Sequence, residues 1–201
     1  MRLKNFFKIL LAVTFTITSA NALKQDEIKE QMTKKIDDVL VVLQKKDLNK
    51  NEKAQEIIKI IDEVFDYELM SRIALGKETW DTLSSQKQKE FTKIFETKLK
   101  NSYTEKLELY NDQKVKILDL KPYNKTRLQL ESELVGKEGV YQINYNFYNK
   151  SKDSEQWLIY DVDLVGVSII QTYRQQFAGL LKEKTFDEML TLLENSNTKW
   201  V

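Results

Sequence analysis

Asp161 and Asp163 are the pair of residues in this sequence whose type and spacing could support acid–base chemistry. On a β-strand, side chains two residues apart point to the same side, so the two carboxyl groups would be neighbours. If both were buried, each charge would raise the pKa of the other. The structural alternative is that Asp161 belongs to a strand end and Asp163 is solvated near a turn. We favour this alternative over an acid–base pair, and a hydrolase is favoured still less, because no activated nucleophile is visible.

Histidine and cysteine are both absent from the 201 residues, which removes most of the usual catalytic and metal chemistry. Without them there is no Ser-His-Asp triad, no cysteine nucleophile and no zinc site of the usual ligand types. We therefore expect no catalytic residue, no metal and no cofactor. The absence of cysteine also excludes disulfides, so a hydrophobic core must supply the stability.

The N-terminal residues have the three-part layout of a secretory signal peptide. Arg2, Lys4 and Lys8 provide a positive start, an apolar stretch follows over residues 9–20, and the segment closes on Ala20-Asn21-Ala22. The apolar stretch is shorter than the roughly 20 residues that a membrane-spanning helix requires. We predict a signal peptide over residues 1–22, cleavage after Ala22, and a periplasmic protein whose mature chain is a single domain over residues 23–201.

The charge balance argues against a nucleic-acid partner. Removing the three basic residues of the signal peptide from 32 Lys and Arg leaves 29, against 31 Asp and Glu. A nucleic-acid groove requires a positive excess, which neither this total nor any long Lys/Arg block supplies.

The first half of the chain has the three-to-four-residue apolar spacing of amphipathic helices. One predicted helix carries an apolar side formed by Ala54, Ile57, Ile58, Ile61, Val64 and Phe65. Ser85 and Gln88 fit a capping box that opens a longer helix. Its apolar stripe is unusually aromatic and consists of Phe91, Phe95, Leu99, Tyr103, Leu107 and Tyr110. Such a stripe usually packs in a core, and the wall of an apolar cavity is the alternative.

After Tyr110 the apolar period falls to two, which indicates half-buried strands. The clearest strand alternates polar residues with Tyr141, Ile143, Tyr145 and Phe147. Helical spacing returns over residues 168–181 and 186–193. The order predicts an α+β domain, with helices, a four-stranded antiparallel meander sheet and further helices that cover one face of the sheet.

Three motifs resemble the MlaC family, also called the toluene-tolerance auxiliary family. The first comprises Phe65, Asp66, Tyr67, Met70, Arg72, Leu75, Gly76 and Trp80. The second is the long helix with its aromatic stripe. The third runs from a strand into a helix and comprises residues 157–162, Gly166, Val167, Ser168 and residues 173–177. Together the motifs span nearly the whole predicted mature chain.

The resemblance implies a periplasmic phospholipid carrier without catalytic activity, in which an apolar cavity encloses the acyl tails. The family's partners are an outer-membrane lipoprotein–porin complex and the lipid-binding component of an inner-membrane ABC transporter, and its traffic maintains outer-membrane lipid asymmetry. We expect a monomer. The alternative is a small α+β periplasmic enzyme that uses Asp161 and Asp163. The residues predicted to contact lipid are apolar or aromatic members of these motifs and of the clearest strand: Phe65, Leu69, Met70, Ile73, Phe91, Phe95, Leu99, Tyr103, Tyr141, Ile143, Tyr145, Phe147, Val167, Ile170 and Phe177.

Arg72 and Arg174 are charged residues within otherwise apolar motifs. Each is expected to pair with a carboxylate or a helix-end carbonyl, because buried charges are rarely tolerated unpaired. The alternative hypothesis places one of them at the cavity mouth, against a lipid phosphate.

Overall fold

A computed structural model describes residues 23–106 and 112–195, apart from the side chains of residues 103–106. It confirms the α+β prediction. The helices are α1 (Ile28–Gln44), α2 (Lys50–Ile61), α3 (Tyr67–Leu75), α4 (Lys77–Thr82), α5 (Ser85–Lys106), α6 (Ile169–Leu180) and α7 (Phe186–Asn195). The strands are β1 (Lys114–Asn124), β2 (Arg127–Gly136), β3 (Gly139–Asn149), β4 (Trp157–Leu164) and β5 (Val167–Ser168). The predicted signal peptide lies outside the described residues.

The strands form one antiparallel meander in the order β1-β2-β3-β4-β5. The four long strands are those predicted, and β5 adds a two-residue fifth strand. Two residues are too few for a period of two to be visible in a sequence. The β4–β5 turn contains Val165 and Gly166, with φ angles of 52° and 80°. Such left-handed angles are readily adopted by Gly and are rare for a β-branched residue.

Polar side chains cap the starts of α2 and α5. Asn49 accepts hydrogen bonds from the backbone N–H groups of Asn51 and Glu52, at 2.9 and 3.1 Å. At α5 the predicted Ser85–Gln88 capping box is wrong. The helix begins at Ser85, so Ser84 takes the capping position and accepts from the N–H of Lys87. Gln88 instead donates to the carbonyl oxygen of Trp80 at 3.0 Å.

The hydrophobic core has two parts. One lies among α3 to α7, where aromatic rings from α5 and α6 interlock: the centroids of Phe95 and Tyr173 are 5.0 Å apart, and those of Phe91 and Phe177 are 5.7 Å apart. The other packs Ile28 and Met32, at the start of α1, against the sheet. The first turns of the aromatic stripe are therefore core. None of the helices in the described ranges has the length and apolar character needed to cross a membrane.

Candidate lipid cavity

An apolar cavity of about 230 Å³ lies between α2, α3, α5 and the sheet. Among the described residues that line it, Lys100 is the one that carries a charge. The lining consists of Ala54, Ile57, Ile58, Ile61, Phe65, Tyr67, Met70, Leu99, Lys100, Ile143, Tyr145, Val162, Leu164 and Ile169.

Two walls of the cavity follow from the spacing of apolar residues in the sequence. Ala54, Ile57, Ile58 and Ile61 are spaced so that they share one side of α2. On the opposite wall β3 and β4 are paired so that Ile143 faces Leu164 and Tyr145 faces Val162. Residues paired across antiparallel strands project to the same side of the sheet, so all four of these side chains reach the cavity.

Tyr145 is the residue of the sheet wall that carries a hydroxyl group. Burial raises the pKa of Tyr145 to about 12, although a hydrogen bond with Ser132 opposes this shift. The phenol is therefore neutral at physiological pH, and the sheet wall carries no charge.

Five of the residues predicted to contact lipid line the cavity: Phe65, Met70, Leu99, Ile143 and Tyr145. Leu69 and Ile73 are half-buried on α3 and are not part of the lining. Another five are fully buried in the two core clusters: Phe91, Phe95, Phe147, Ile170 and Phe177. The side chain of Tyr103 lies outside the described residues. Met70 and Leu99 belong both to the cavity lining and to the buried core, so the cavity lies directly beside packed core.

Tyr141 and Val167 lie outside the cavity lining and are exposed, although the sequence predicts that they contact lipid. Tyr141 is 43% exposed and Val167 is 60% exposed. Tyr141 shares a sheet face with Ile143, but it lies only two residues from Gly139, where β3 begins. Val167 belongs to the short edge strand β5. Alternation correctly predicts the side of the sheet that each side chain takes, and it does not show where along the strand the covering helices end.

The cavity also contains residues that the sequence-based prediction omitted. The side of α2 was visible as an apolar stripe, but nothing in the stripe itself distinguishes a cavity wall from a core. Val162 and Leu164 lie on β4, whose alternation is less regular than that of β3. Lys100 follows Leu99 directly, and a charged residue at the edge of an apolar stripe is ordinarily solvated.

Lys100 is held by two carboxylates at the margin of the cavity. Its Nζ lies 2.6 Å from Oδ1 of Asp62 and 2.5 Å from Oε1 of Glu96. The same Nζ lies 4.8 Å from the ring centroid of Tyr67, whose hydroxyl donates to Asp62 at 2.8 Å. The exposed fractions of the Lys100, Asp62 and Glu96 side chains are 19%, 40% and 32%, so this group lies where the cavity meets solvent.

The environment keeps Lys100 protonated. Burial by itself lowers the pKa of the ammonium group, but hydrogen bonds and attraction from Asp62 and Glu96 outweigh it, and the net pKa is raised. The ammonium group of Lys100 therefore stays charged at neutral pH, with the two carboxylates beside it.

Arg72 and Arg174 do not reach the cavity. Both side chains are exposed, and neither is part of the lining. The hypothesis that one of them meets a phosphate at the cavity mouth is therefore not supported. The cation at that position is Lys100, which lies on a different helix.

Asp161 and Asp163 do not form a catalytic pair facing the cavity. They pair across the sheet with Asn146 and Asn144, which alternate with Tyr145 and Ile143 and so lie on the opposite face. Asp161 accepts hydrogen bonds from the Ser168 hydroxyl at 2.5 Å and from the Ile170 N–H at 3.1 Å.

Burial is the main cause of a raised pKa at Asp161, and the charge of Asp163 adds a smaller contribution. Its hydrogen bonds place Asp161 as the link between β4 and the start of α6. Within the described residues, no three His, Cys, Asp or Glu side chains gather as a metal site requires.

The structural role of Asp161 can be tested by replacing each carboxylate with an amide. We expect Asp161→Asn to lower the free energy of unfolding by about 1–3 kcal/mol, because the amide nitrogen that replaces one carboxylate oxygen cannot accept, so the hydrogen bond from Ser168 or the one from Ile170 is lost. Asp163→Asn should change it by less than about 0.5 kcal/mol. Chemical denaturation provides the measurement. A hydrolytic activity in the wild type that disappeared in either folded variant would support the enzyme alternative instead.

Comparison with known proteins gives one family and one fold. Residues 33–195 match the sequence model of a family described as "MlaC protein". The intermembrane phospholipid transport system binding protein MlaC of Haemophilus influenzae is 24% identical over 119 residues, which is 58% of this chain and 56% of that relative. The chain thus matches little more than half of the length of this relative.

A solved structure shares the fold. It is the phospholipid-binding protein from Ralstonia solanacearum in complex with a phospholipid, and it superposes with a TM-score of 0.71. The alignment covers 83% of this chain and 94% of that chain, at 21% sequence identity.

Proposed function

The chain belongs to the MlaC family, and from this premise we propose that it is a phospholipid carrier without catalytic activity. The observation that carries the proposal is the apolar cavity with a charged group at its margin. Acyl tails would occupy the apolar part, and the headgroup would stay at the margin beside Lys100. The names of the relative from Haemophilus influenzae and of the structural neighbour from Ralstonia solanacearum support this function.

A carrier is needed because free phospholipid is very insoluble. Each buried methylene group is worth about 0.8 kcal/mol, so two tails with roughly thirty methylenes would cost on the order of 20 kcal/mol to expose to water. Unassisted transfer through an aqueous compartment is therefore negligible. An apolar interior of the kind seen beneath α2 removes most of that cost.

The volume of the cavity implies that one wall moves when lipid binds. Two tails need roughly 1,000 Å³, near the upper end of ligand cavities, whereas this cavity measures about 230 Å³. The sheet wall cannot open without breaking the hydrogen bonds between its strands. The opposite wall is a single helix, α2. Its contribution to the cavity consists of side chains, and its backbone–backbone hydrogen bonds lie within the helix. We infer that α2 moves away from the sheet as tails enter.

The proposal extends to location and partners. The signal peptide over residues 1–22 would direct the chain to the periplasm, where residues 23–201 would act as a single lipid-binding domain. There it would exchange lipid with the lipid-binding component of an inner-membrane ABC transporter and with an outer-membrane lipoprotein–porin complex, and so maintain outer-membrane lipid asymmetry. This assignment rests on family membership and on the signal-peptide layout of the sequence.

Purification from a periplasmic fraction without detergent tests the proposal. We expect extraction and mass spectrometry to give about one diacyl phospholipid per chain, because the cavity would hold one lipid. The intact mass of the protein should correspond to a chain that begins at Leu23. Lipid-free preparations that also fail to take up phospholipid from vesicles would refute the carrier function. Retention of Met1 in a membrane-bound protein would refute the location alone.

A further inference from the structure

The charges around Lys100 differ from those of a simple phosphate site. We define the Lys100 cluster as Lys100, Asp62, Glu96 and Tyr67, which are linked by the contacts described above. One ammonium group and two carboxylates give this cluster a net charge of about −1 at neutral pH. Glu63, the residue after Asp62, is paired with Lys35 and adds no net charge. The Lys100 cluster therefore presents both signs of charge, with one more carboxylate than ammonium groups.

Such a margin discriminates between headgroups. An anionic headgroup with a phosphodiester and no cation would be attracted by Lys100 and repelled by two carboxylates at similar range. A zwitterionic headgroup carries a phosphate and an ammonium group a few bonds apart, so both signs of charge find a partner. Each carboxylate has about four lone-pair positions, so it can accept from a lipid ammonium while it still contacts Lys100.

We propose that the Lys100 cluster binds a zwitterionic headgroup with a primary ammonium, as in phosphatidylethanolamine, in preference to the anionic headgroup of phosphatidylglycerol. Lys100 donates to the phosphate, and Asp62 and Glu96 accept from the ethanolamine ammonium. This inference rests on the proposed carrier function. It assigns a headgroup specificity to a cavity whose remaining described lining is uncharged.

The position of the cluster supports this role over a purely structural one. Tyr67 and Lys100 both line the cavity, and the side chains of Asp62 and Glu96 that hold Lys100 are partly exposed, so the cluster lies between the space proposed for the tails and solvent. The Lys87–Asp187 ion pair joins α5 to α7 and belongs to no part of the cavity lining. This ion pair also involves a lysine of α5, so it can serve as a control for the Lys100 cluster.

Competition between two lipids tests the proposal. Delipidated protein is incubated with vesicles of equimolar phosphatidylethanolamine and phosphatidylglycerol that have identical acyl chains, and the bound lipids are quantified by mass spectrometry. We expect the wild type to favour phosphatidylethanolamine about tenfold, the effect of one charge-assisted hydrogen bond. In the double variant Asp62→Asn/Glu96→Gln, the ammonium group of Lys100 is the one charge that the cluster keeps. This variant should therefore prefer phosphatidylglycerol over phosphatidylethanolamine.

The control variant Glu90→Gln/Asp187→Asn makes the same change in net charge at exposed residues outside the cavity lining. It should retain the wild-type ratio. Should the double variant in the cluster fail to fold, Glu96→Gln alone removes one half-exposed carboxylate and should reduce the preference severalfold. Equal uptake of both lipids by the wild type would overturn the headgroup proposal and leave the carrier function intact. Uptake of neither lipid would refute the carrier function itself.

Discussion

Replacing Leu99 with Trp is expected to reduce bound phospholipid severalfold while the lipid-free protein keeps its stability. Leu99 is 2% exposed and lines the cavity from α5. An indole ring at this position occupies volume that an acyl chain would fill. In an empty apolar space the added ring gains contacts, so little folding stability should be lost. Tyr145→Trp, on the opposite wall, should have the same effect.

Phe95→Trp is the matched control, one helical turn earlier on α5. The Phe95 ring is fully buried and lies 5.0 Å from the ring centroid of Tyr173 and 5.6 Å from that of Phe177. Adding volume there is overpacking, which costs about 1–3 kcal/mol. Lipid quantification beside thermal melts of delipidated variants separates the two positions. A large loss of stability in Leu99→Trp, with no lipid in the wild type, would show that the space beside Leu99 is core.

Much of the fold follows from the periodicity of apolar residues. The period of two over Tyr141, Ile143 and Tyr145 predicts both the strand β3 and the shared side of its apolar residues, and the observed register agrees. The structure also contains the four long antiparallel strands that the sequence predicts. These features are predictable because they depend on neighbours within a few residues, which a single sequence records directly.

The division between cavity and core was not predictable in the same way. Phe91, Phe95 and Leu99 form one continuous stripe on α5 and belong to the same buried cluster, yet Leu99 also lines the cavity and the two aromatic residues do not. Periodicity identifies the buried side of a helix. It does not show whether the facing volume is filled, because that depends on side chains more than 70 residues away, such as Tyr173 and Phe177.

The charged margin of the cavity could not be predicted from the sequence, for a related reason. Lys100 pairs with Glu96 within one helix, a common spacing that by itself indicates only a surface ion pair. Its position at the cavity depends on Asp62, which closes α2 and is brought to α5 by tertiary packing. Neither residue is among the apolar and aromatic positions predicted to contact lipid.

Phe177→Ala is expected to lower the free energy of unfolding by about 3–5 kcal/mol, because it opens a hole in a close-packed core. The Phe177 ring lies 5.7, 5.6 and 5.7 Å from the ring centroids of Phe91, Phe95 and Tyr173, and it is fully buried. A shift of the urea midpoint at unchanged slope measures the loss. Tyr141→Ala, which removes an exposed ring, is the control and should change stability by less than about 0.5 kcal/mol.

The fraction of Phe177→Ala protein that remains folded should bind phospholipid as the wild type does, because Phe177 is outside the cavity lining. If Phe177→Ala instead kept its stability and lost lipid, the tails would have to lie between α5 and α6, and the cavity beneath α2 would not be the binding site.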